Sequence, residues 1–586
     1  MPTGPEAPAE HVILDENIKA ENHDYYYVGY FKVSPDHKLV AYTEDARGNG
    51  AFTLYVIDAE NGTTIEKPLV GELSYSLEWV GNDALVYITR DDTSRADKVW
   101  MHKLFSDQST DLCIYHEDDD MFSLDIYISE SKKYIFVKSE SRNTNSIFYL
   151  DILKPEAGLK TLPRRLYGIN SKASQRGHHF FLTRTSEKSY YSELVACPVE
   201  NISDVTVLLP HKKSVTIRDV QLFNDHIVVR EQEGGLTKLT VYDLPAASEA
   251  LELLRDGREI SFIDPIYSVK FEESEFTSNV LRFSYSSMRT PTSVYDYDMD
   301  LHISILKKID RVLGGFNASN YMTERKWAVA SDGTRVPISI LYKGNLAKLD
   351  GSNPLLLDGY GSFGFSYDPA FVGSRLSLVD RGFIYAIAHV RGGGEMGVEW
   401  HESGNLLKKN NSFTDFITCV EYLVKIRYCS KEKVSIIGND EGGMLVGAVL
   451  NMRPDLIKAV VAQFPFVDVL TTMLDPSIPG TASSWEEWGN PRKQEYYFYM
   501  KSYSPIDNVK SQNYPNILVT GSYDTPDLLY HGPAKYVAKL REMKTDDNVL
   551  LFRCEVDIKS YKEQKEDAFA YAFLLKALDM IQPASS

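Results

Sequence analysis

The hydrophobic pattern of this chain changes character at about residue 310. Before that point, short runs of alternating apolar and polar residues are separated by polar turns, as in "LVAYTED" followed by "FTLYVIDAENG". Six such units recur between residues 30 and 300 at a spacing of roughly 46 to 51 residues, near the period of propeller blades. The first half is therefore predicted to be a β-propeller of about six blades. A large antiparallel domain of another topology is the alternative.

From about residue 320, apolar runs alternate with amphipathic segments. Strand candidates include "PLLLDGYG", "KVSIIG" and "NILVTG", and "SFTDFITCVEYLVKIRY" has helical apolar spacing with Ser412 as its predicted cap. Near-continuous apolar strands that alternate with helices predict a parallel sheet covered on both faces. The predicted domains are a propeller over residues 1–310 and an α/β domain over residues 320–586.

Composition narrows the class of protein. The chain has 586 residues and a net charge of −19, which argues against nucleic acid or an anionic membrane as a partner. No run of about 18 apolar residues occurs, the first residues lack the pattern of a signal peptide, and the five cysteines are widely spaced. We expect a cytoplasmic protein that acts on or binds a small molecule, without a metal or cofactor. The oligomeric state stays open.

The segment "IIGNDEGGML", residues 436–445, has the layout of a strand, a sharp turn and a helix. This is the context of a nucleophile elbow, G-x-S-x-G, but Asp440 occupies the serine position. Sites in parallel sheets lie at the carboxyl ends of the strands, so the elbow is the predicted centre of the site.

Several longer motifs identify a family resemblance. "VRGGGEMG", "LLKKNNSFTDF", "PFVDVLTTMLDPSIP", "EEWGNP" and "YMKSYSPIDNVK" resemble the prolyl oligopeptidase family, closest to its oligopeptidase B branch. The resemblance implies a seven-bladed propeller above an α/β-hydrolase domain, and an ancestor that cut small peptides after basic residues. The six units found here then imply an incomplete seven-bladed propeller, since the family has a longer segment before the first blade.

The catalytic residues of that family are only partly matched. The elbow serine is Asp440, and the small residue after it is Glu441. Asp524 matches the acidic triad member, whereas the histidine loop after the last strand looks shortened and no histidine follows His531. His531 itself is expected at an exposed helix start. Serine acylation needs both a hydroxyl and a base within hydrogen-bond reach, so serine-peptidase activity is predicted to be absent.

The resemblance also places residues around the substrate. Tyr360 matches the oxyanion donor, and Asp358 replaces a tyrosine of the family. Of the paired glutamates that select basic side chains, one position holds Ser484 and the other Glu486. The complete predicted pocket is Asp358, Phe363, Arg391, Ser484 and Glu486, beside the predicted catalytic residues Asp440, Glu441, Asp524 and Tyr360.

Two classes of function follow from these replacements. Acidic residues at several positions around the site favour a carboxylate acid/base enzyme that cyclises, eliminates or isomerises a small molecule. The alternative is a pseudopeptidase that serves as a binding or regulatory module, and a residual serine peptidase is the third possibility. Covalent turnover through Asp440, as in haloalkane dehalogenases and epoxide hydrolases, is disfavoured because it needs a histidine.

Overall fold

The computed structural model of the chain describes residues 11–162, 166–167, 172–186, 189–523, 530–555 and 563–581. The chain separates into two compact units, residues 1–166 and 167–586. The predicted domain division between residues 310 and 320 stays a prediction.

The first unit consists mainly of antiparallel strands. Strands β1 to β7 form one sheet in chain order, in which the long strand β4 pairs with β3 through its first part and with β5 through the rest. The seven strands are therefore two blade-like groups of four that share β4, and β8 to β11 form the next group. The elements are α1 (Glu16–Ala20), β1 (Tyr27–Val33), β2 (Leu39–Asp45), β3 (Phe52–Asp58), β4 (Leu69–Val80), β5 (Ala84–Arg90), β6 (Ala96–Lys103), β7 (Leu112–His116), β8 (Ser123–Ile128), β9 (Tyr134–Glu140), β10 (Thr144–Asp151), β11 (Lys160–Thr161) and β12 (Leu166–Tyr167).

The second unit begins with three more four-stranded antiparallel sheets, β13 to β16, β17 to β20 and β21 to β24. Burial alternates along their strands, as the 2-residue period of a pleated strand requires. Among the described residues, the second unit therefore contributes three four-stranded antiparallel sheets of the kind that the sequence predicted. The strands are β13 (Ala173–Arg176), β14 (His179–Ser186), β15 (Ser189–Pro198), β16 (Thr206–Leu209), β17 (Val215–Leu222), β18 (His226–Glu233), β19 (Leu236–Asp243), β20 (Arg258–Glu259), β21 (Ser268–Phe271), β22 (Val280–Ser286), β23 (Ser293–Asp298) and β24 (Ile303–Ile309).

An eight-stranded sheet follows, in the order β25-β26-β28-β27-β29-β30-β31-β32. The strands from β27 onward pair in parallel, whereas β26 pairs antiparallel with β25 and β28. This is the predicted α/β-hydrolase sheet. The strands are β25 (Tyr321–Val329), β26 (Arg335–Lys343), β27 (Leu355–Gly359), β28 (Ile384–Ala388), β29 (Val434–Asn439), β30 (Ala459–Gln463), β31 (Asn516–Ser522) and β32 (Leu550–Glu555).

Helices cover both faces of this sheet. Residues of α4, α5 and α9 pack with the larger apolar core on one face, and residues of α2 and α10 pack with a second core on the other. The helices are α2 (Leu376–Val379), α3 (Val398–Glu402), α4 (Asn410–Lys425), α5 (Glu441–Met452), α6 (Val469–Leu474), α7 (Thr481–Trp488), α8 (Gln494–Tyr503), α9 (His531–Met543) and α10 (Glu563–Ala577).

One predicted helix boundary differs from the structure. Helix α4 begins at Asn410, so Ser412 lies inside its first turn and does not cap it. The Ser412 hydroxyl instead donates to the carbonyl oxygen of Arg391 at 2.6 Å. A serine near a helix start can satisfy a neighbouring loop as easily as its own helix, because its hydroxyl bonds equally well to either backbone.

In the part of the chain that the structure describes, the helices are too short or too polar to cross a membrane. A cytoplasmic location stays a prediction.

Candidate active site

The turn between β29 and α5 has the geometry of a nucleophile elbow. Asp440 has φ 54° and ψ −113°, a conformation that side-chain-bearing residues rarely adopt. The neighbouring strand holds the turn, since the Asp440 N–H donates to Gln463 O at 3.0 Å and Phe466 N–H donates to Asp440 O at 3.0 Å. Residues in such conformations persist where the surrounding structure fixes them, and they cluster at active sites.

The two glycines of the G-x-D-x-G motif have a steric reason. A Cβ atom on Gly438 would lie 2.0 Å from the carbonyl oxygen of Gly442, and one on Gly442 would lie 2.6 Å from that of Gly359. Helix α5 therefore passes close to its own strand and to the end of β27. This approach presents the half-buried Asp440 at the carboxyl edge of the sheet.

Tyr360 and Glu441 meet beside the elbow. The Tyr360 hydroxyl donates to Glu441 Oε2 at 2.5 Å, and the Tyr360 ring contacts Phe365 edge-on with centroids 5.5 Å apart. Glu441 is 8% exposed and is the first residue of α5, where the helix dipole favours a negative charge. The structure thus brings together three of the four predicted catalytic residues, namely Tyr360, Asp440 and Glu441.

A buried lysine holds the loop that carries Tyr360. Lys409 is 1% exposed, and its ammonium donates to Gly361 O at 2.5 Å and to Ser362 Oγ at 2.9 Å. The ammonium also lies 5.1 Å from the centroid of the Trp488 ring. Burial lowers the pKa of Lys409 to about 8, although the Glu487 and Glu441 carboxylates favour its charged form.

Glu487 is the second residue that holds this loop. It is 2% exposed, and its Oε1 accepts from the Phe363 N–H at 2.9 Å while its Oε2 contacts His401 Nε2 at 2.6 Å. Sequence reasoning missed Lys409, Glu487 and His401, although all three lie near the quoted family motifs. The local sequence does not indicate which of these side chains is buried. Lys408, for example, is exposed although it is next to the buried Lys409.

Asp358 does not join the elbow carboxylates. It pairs with Ile437 across the parallel strands and faces the second core, opposite to the face that packs against α5. Asp358 Oδ2 accepts from Tyr367 Oη at 2.7 Å and from Tyr385 Oη. Burial raises the pKa of Asp358, and the charge of Arg375 opposes this shift. Its predicted place beside Asp440 is therefore corrected to a buried tyrosine and arginine cluster.

Arg391 also has a structural role in place of its predicted pocket position. Its guanidinium is 6% exposed and forms a two-pronged ion pair with the buried Asp415, at 2.8 Å from Nε and 2.6 Å from Nη2. Nη1 donates to Asp332 at 2.6 Å. Carboxylates bind the guanidinium along two of its edges. Because Asp415 lies on α4, Arg391 fixes the glycine-rich loop after β28 to that helix.

The remaining predicted pocket residues lie near Trp488. Phe363 has a positive φ of 57°, and its ring contacts Trp488 edge-on at 5.3 Å. Ser484 and Glu486 lie on α7, where Ser484 is buried and Glu486 is half-buried. Helix α7 thus carries both positions of the predicted glutamate pair together with Glu487.

Asp524 and the segment 556–562, which contains part of the predicted histidine loop, lie outside the described residues. His531 is exposed at the first position of α9, as expected. A cavity of about 190 Å³ lies beside the elbow. Its lining includes residues 464–468, Ile478, Gly521 and His531. Its wall includes Phe466, whose N–H bonds to Asp440.

An elbow between a strand and a helix at the carboxyl edge of a mainly parallel sheet defines a member of the α/β-hydrolase class. Comparison with family models agrees with this division into a β-propeller region and an α/β-hydrolase region. The model "Prolyl oligopeptidase, N-terminal beta-propeller domain" matches residues 2–308, and the model "Prolyl oligopeptidase family" matches residues 369–580. The chain belongs to the prolyl oligopeptidase family.

Individual relatives are similar over most of the chain. "Protease 2" of Moraxella lacunata is 36% identical over 97% of this chain and 82% of its own length, and "Dipeptidyl aminopeptidase BI" of Pseudoxanthomonas mexicana is 34% identical over 97% and 79%. The structure of oligopeptidase B from Leishmania major has a TM-score of 0.93 at 36% identity, covering 99% of this chain and 82% of that one. Oligopeptidase B from Trypanosoma brucei, with covalently bound antipain in the closed form, has a TM-score of 0.92 at 37% identity, covering 100% and 83%.

These relatives contradict one prediction. The chain was expected to be a non-peptidase lyase, cyclase or isomerase without serine-peptidase activity, but proteins 36% and 34% identical over nearly its whole length are named as peptidases, which points to peptidase activity. That prediction is wrong. Its acid/base part relied on acidic replacements converging at one site, and Asp358 lies on the other face of the sheet. Its peptidase part relied on Asp440 in place of the elbow serine and on the lack of a histidine after His531.

Proposed function

We propose that this protein hydrolyses oligopeptides at the carboxyl edge of its eight-stranded sheet, with Asp440 at the reacting centre. The observation that carries the proposal is the elbow itself, which holds Asp440 in the positive-φ conformation of a reactive residue. The membership of the chain in a family of peptidases supports the substrate class.

The elbow residue sets the chemistry. A carboxylate has no hydroxyl with which to form an acyl ester, but it can accept a proton from a water molecule. In the proposed step, the water oxygen attacks the peptide carbonyl carbon while Asp440 takes the water proton. The C–N bond then breaks, and the leaving amine takes that proton from Asp440. General base assistance of this kind contributes about 10²–10⁴-fold to a rate.

The neighbours of Asp440 supply the other requirement, stabilisation of the developing oxyanion. The first N–H groups of a helix have no partner within the helix, so the Glu441 N–H at the start of α5 suits this role. The Tyr360 hydroxyl is the second donor, since it already reaches the first turn of α5. Removing one such donor lowers a rate by about 10²–10³-fold.

The cavity beside Phe466 suits one side chain of the bound peptide. Its wall is mostly apolar, and Asp468 in the wall forms an ion pair with Lys535. A cavity of about 190 Å³ next to the elbow backbone can hold a side chain near the carbonyl that reacts.

The test is a digest of a defined pool of synthetic peptides, followed by mass spectrometry of the products. The wild type should generate new termini, and Asp440→Asn should generate them at least about 100-fold more slowly. Asp507→Asn is the matched control, because Asp507 is an exposed aspartate of the same unit. This control should cleave as the wild type does, and a loss confined to Asp440→Asn then rules out a contaminating peptidase.

Three results would contradict the proposal. Equal cleavage by the wild type and Asp440→Asn would remove Asp440 from the chemistry. Binding of peptides without new termini would leave an oligopeptide-binding protein. Absence of both binding and cleavage would overturn the substrate class.

A further inference from the structure

The loop from residue 360 to 363 is held at every position by a buried charged side chain. Glu441 accepts from the Tyr360 hydroxyl, Lys409 donates to the carbonyl of Gly361 and the hydroxyl of Ser362, and Glu487 accepts from the Phe363 N–H. We call Glu441, Lys409 and Glu487 the loop clamp. Glu441 is on α5, Glu487 is on α7 and Lys409 directly precedes α4, so contacts from three separate parts of the chain hold the loop.

Glu441 differs from the other two members of the clamp. Lys409 and Glu487 bind atoms of residues 361–363, which have no part in the proposed reaction. Glu441 binds the hydroxyl that the proposed mechanism needs as an oxyanion donor. A phenol has a single proton to donate, so the Tyr360 hydroxyl cannot fully serve Glu441 and a substrate oxygen together.

The surroundings favour the contact between Glu441 and Tyr360. Hydrogen bonds to an ionised acceptor are stronger than neutral ones, and the Tyr360 hydroxyl donates directly to Glu441 Oε2. The buried Lys409 charge attracts Glu441, and the N-terminus of α5 favours a negative charge at its first residue. A bound peptide carbonyl must therefore compete with a carboxylate, which is the better acceptor.

We propose that Glu441 is a positioning residue that holds the Tyr360 hydroxyl away from the substrate until a bound peptide displaces it. This inference rests on the proposed function, because it assumes that a peptide carbonyl lies beside Asp440. It deepens that function by assigning a control element to the elbow, in the residue directly after Asp440.

The test is a double-mutant cycle between Glu441 and Tyr360, read by the binding of antipain. Antipain is the probe because it is the peptide-like inhibitor bound to the Trypanosoma brucei enzyme. Glu441→Ala should bind antipain about tenfold more tightly than the wild type, which is about 1.4 kcal/mol. The gain should disappear in the Tyr360→Phe background. Glu441→Gln, which keeps the shape but loses the charge, should fall between wild type and Glu441→Ala.

Glu495→Ala is the matched control, since Glu495 is also an acidic residue in the first turn of a helix but is exposed on α8. It should leave antipain binding unchanged. Unchanged or weaker binding by Glu441→Ala would overturn the inference, and so would a gain of the same size in the Tyr360→Phe background.

A second readout needs no ligand. Tyr360→Phe should lower the Tm of the wild type more than that of Glu441→Ala, because the hydrogen bond between the two side chains exists only when both partners are present. Equal changes of Tm in both backgrounds would show that Glu441 does not hold Tyr360. If no variant binds antipain, the Tm cycle decides the contact between Glu441 and Tyr360, and the peptide digest described above decides the proposed function separately.

Discussion

Asp358 and Glu441 are two carboxylates near the carboxyl edge of the same sheet, and each accepts a hydrogen bond from a tyrosine. Asp358 is enclosed with Tyr367 and Tyr385 on the face covered by α2 and α10. Glu441 lies where α5 begins, directly after the half-buried Asp440. The first carboxylate therefore serves the stability of the core, and the second lies where a ligand can reach its partner.

The difference follows from the pleat of β27 and from where this strand ends. Side chains two residues apart share a face, so Asp358 points with Leu356 toward the second core, whereas the strand ends at Gly359 and Tyr360 reaches the start of α5. Acidic residues such as Asp358 and Glu441, which a family resemblance places around one site, need not lie together in the structure.

Removing Asp358 should cause the largest loss of stability. Asp358→Ala leaves two buried tyrosine hydroxyls without their acceptor and removes the carboxylate that interacts with the Arg375 charge, and each unsatisfied hydroxyl costs about 1–3 kcal/mol. Asp358→Asn keeps an acceptor oxygen and should lose less. Urea unfolding of both variants measures the effect. A loss below about 1 kcal/mol for the alanine variant would contradict the structural role of this region.

Lys409 should make the free energy of unfolding rise with pH between about pH 8 and pH 10.5. Its pKa is near 8 in the folded chain and 10.5 when unperturbed. Below pH 8 it is charged in both states, and burying that charge is unfavourable. Between pH 8 and 10.5 the folded state loses the proton first, so the free energy of unfolding gains on the order of 3 kcal/mol from this group.

Lys409→Met removes this dependence. The difference in Tm between wild type and variant should change in favour of the wild type from pH 8 to pH 10, because only the wild type has the titrating ammonium. Comparing the two proteins cancels the titration of all other groups. A difference that stays constant over this range would show that the Lys409 charge is not buried beside the loop.

Filling the cavity beside the elbow should have a smaller effect, and only on substrate binding. Ile478→Trp places a larger side chain in the cavity wall, so KM for peptides with bulky apolar side chains should rise about tenfold. Peptides with glycine or alanine at that position should keep their KM. An equal rise for both classes of peptide would mean that the cavity does not receive a substrate side chain.

The fold was largely predictable from the sequence, since the blade strands and the βα alternation depend on local apolar periodicity. The segment "KVSIIG" became β29 within one residue, whereas "FIYAIAHVRGGG" became a strand of only five residues, β28, because the following glycine-rich loop is held by Arg391. The elbow was predictable for the same reason, as its glycines and its place after a strand are local features.

The environment of the site was not predictable from local features. Lys409 lies in the polar run "LLKKNN", where a solvated loop is the ordinary interpretation, and its burial depends on Trp488 and Gly361 far away in sequence. Arg391 was predicted to line the pocket, but α4 places Asp415 beside its guanidinium, and the two form an ion pair. Long-range contacts decide whether a charge binds substrate or stabilises the fold.

The most direct test compares the elbow with the enclosed carboxylate in one assay. A peptide cleaved by the wild type is used to measure kcat/KM for Asp440→Asn and Asp358→Asn, at a temperature where both variants are folded. The account predicts a loss of at least about 100-fold for Asp440→Asn and a value close to that of the wild type for Asp358→Asn. Equal values for the two variants, or a greater loss for Asp358→Asn, would contradict the claim that the elbow carboxylate carries the chemistry.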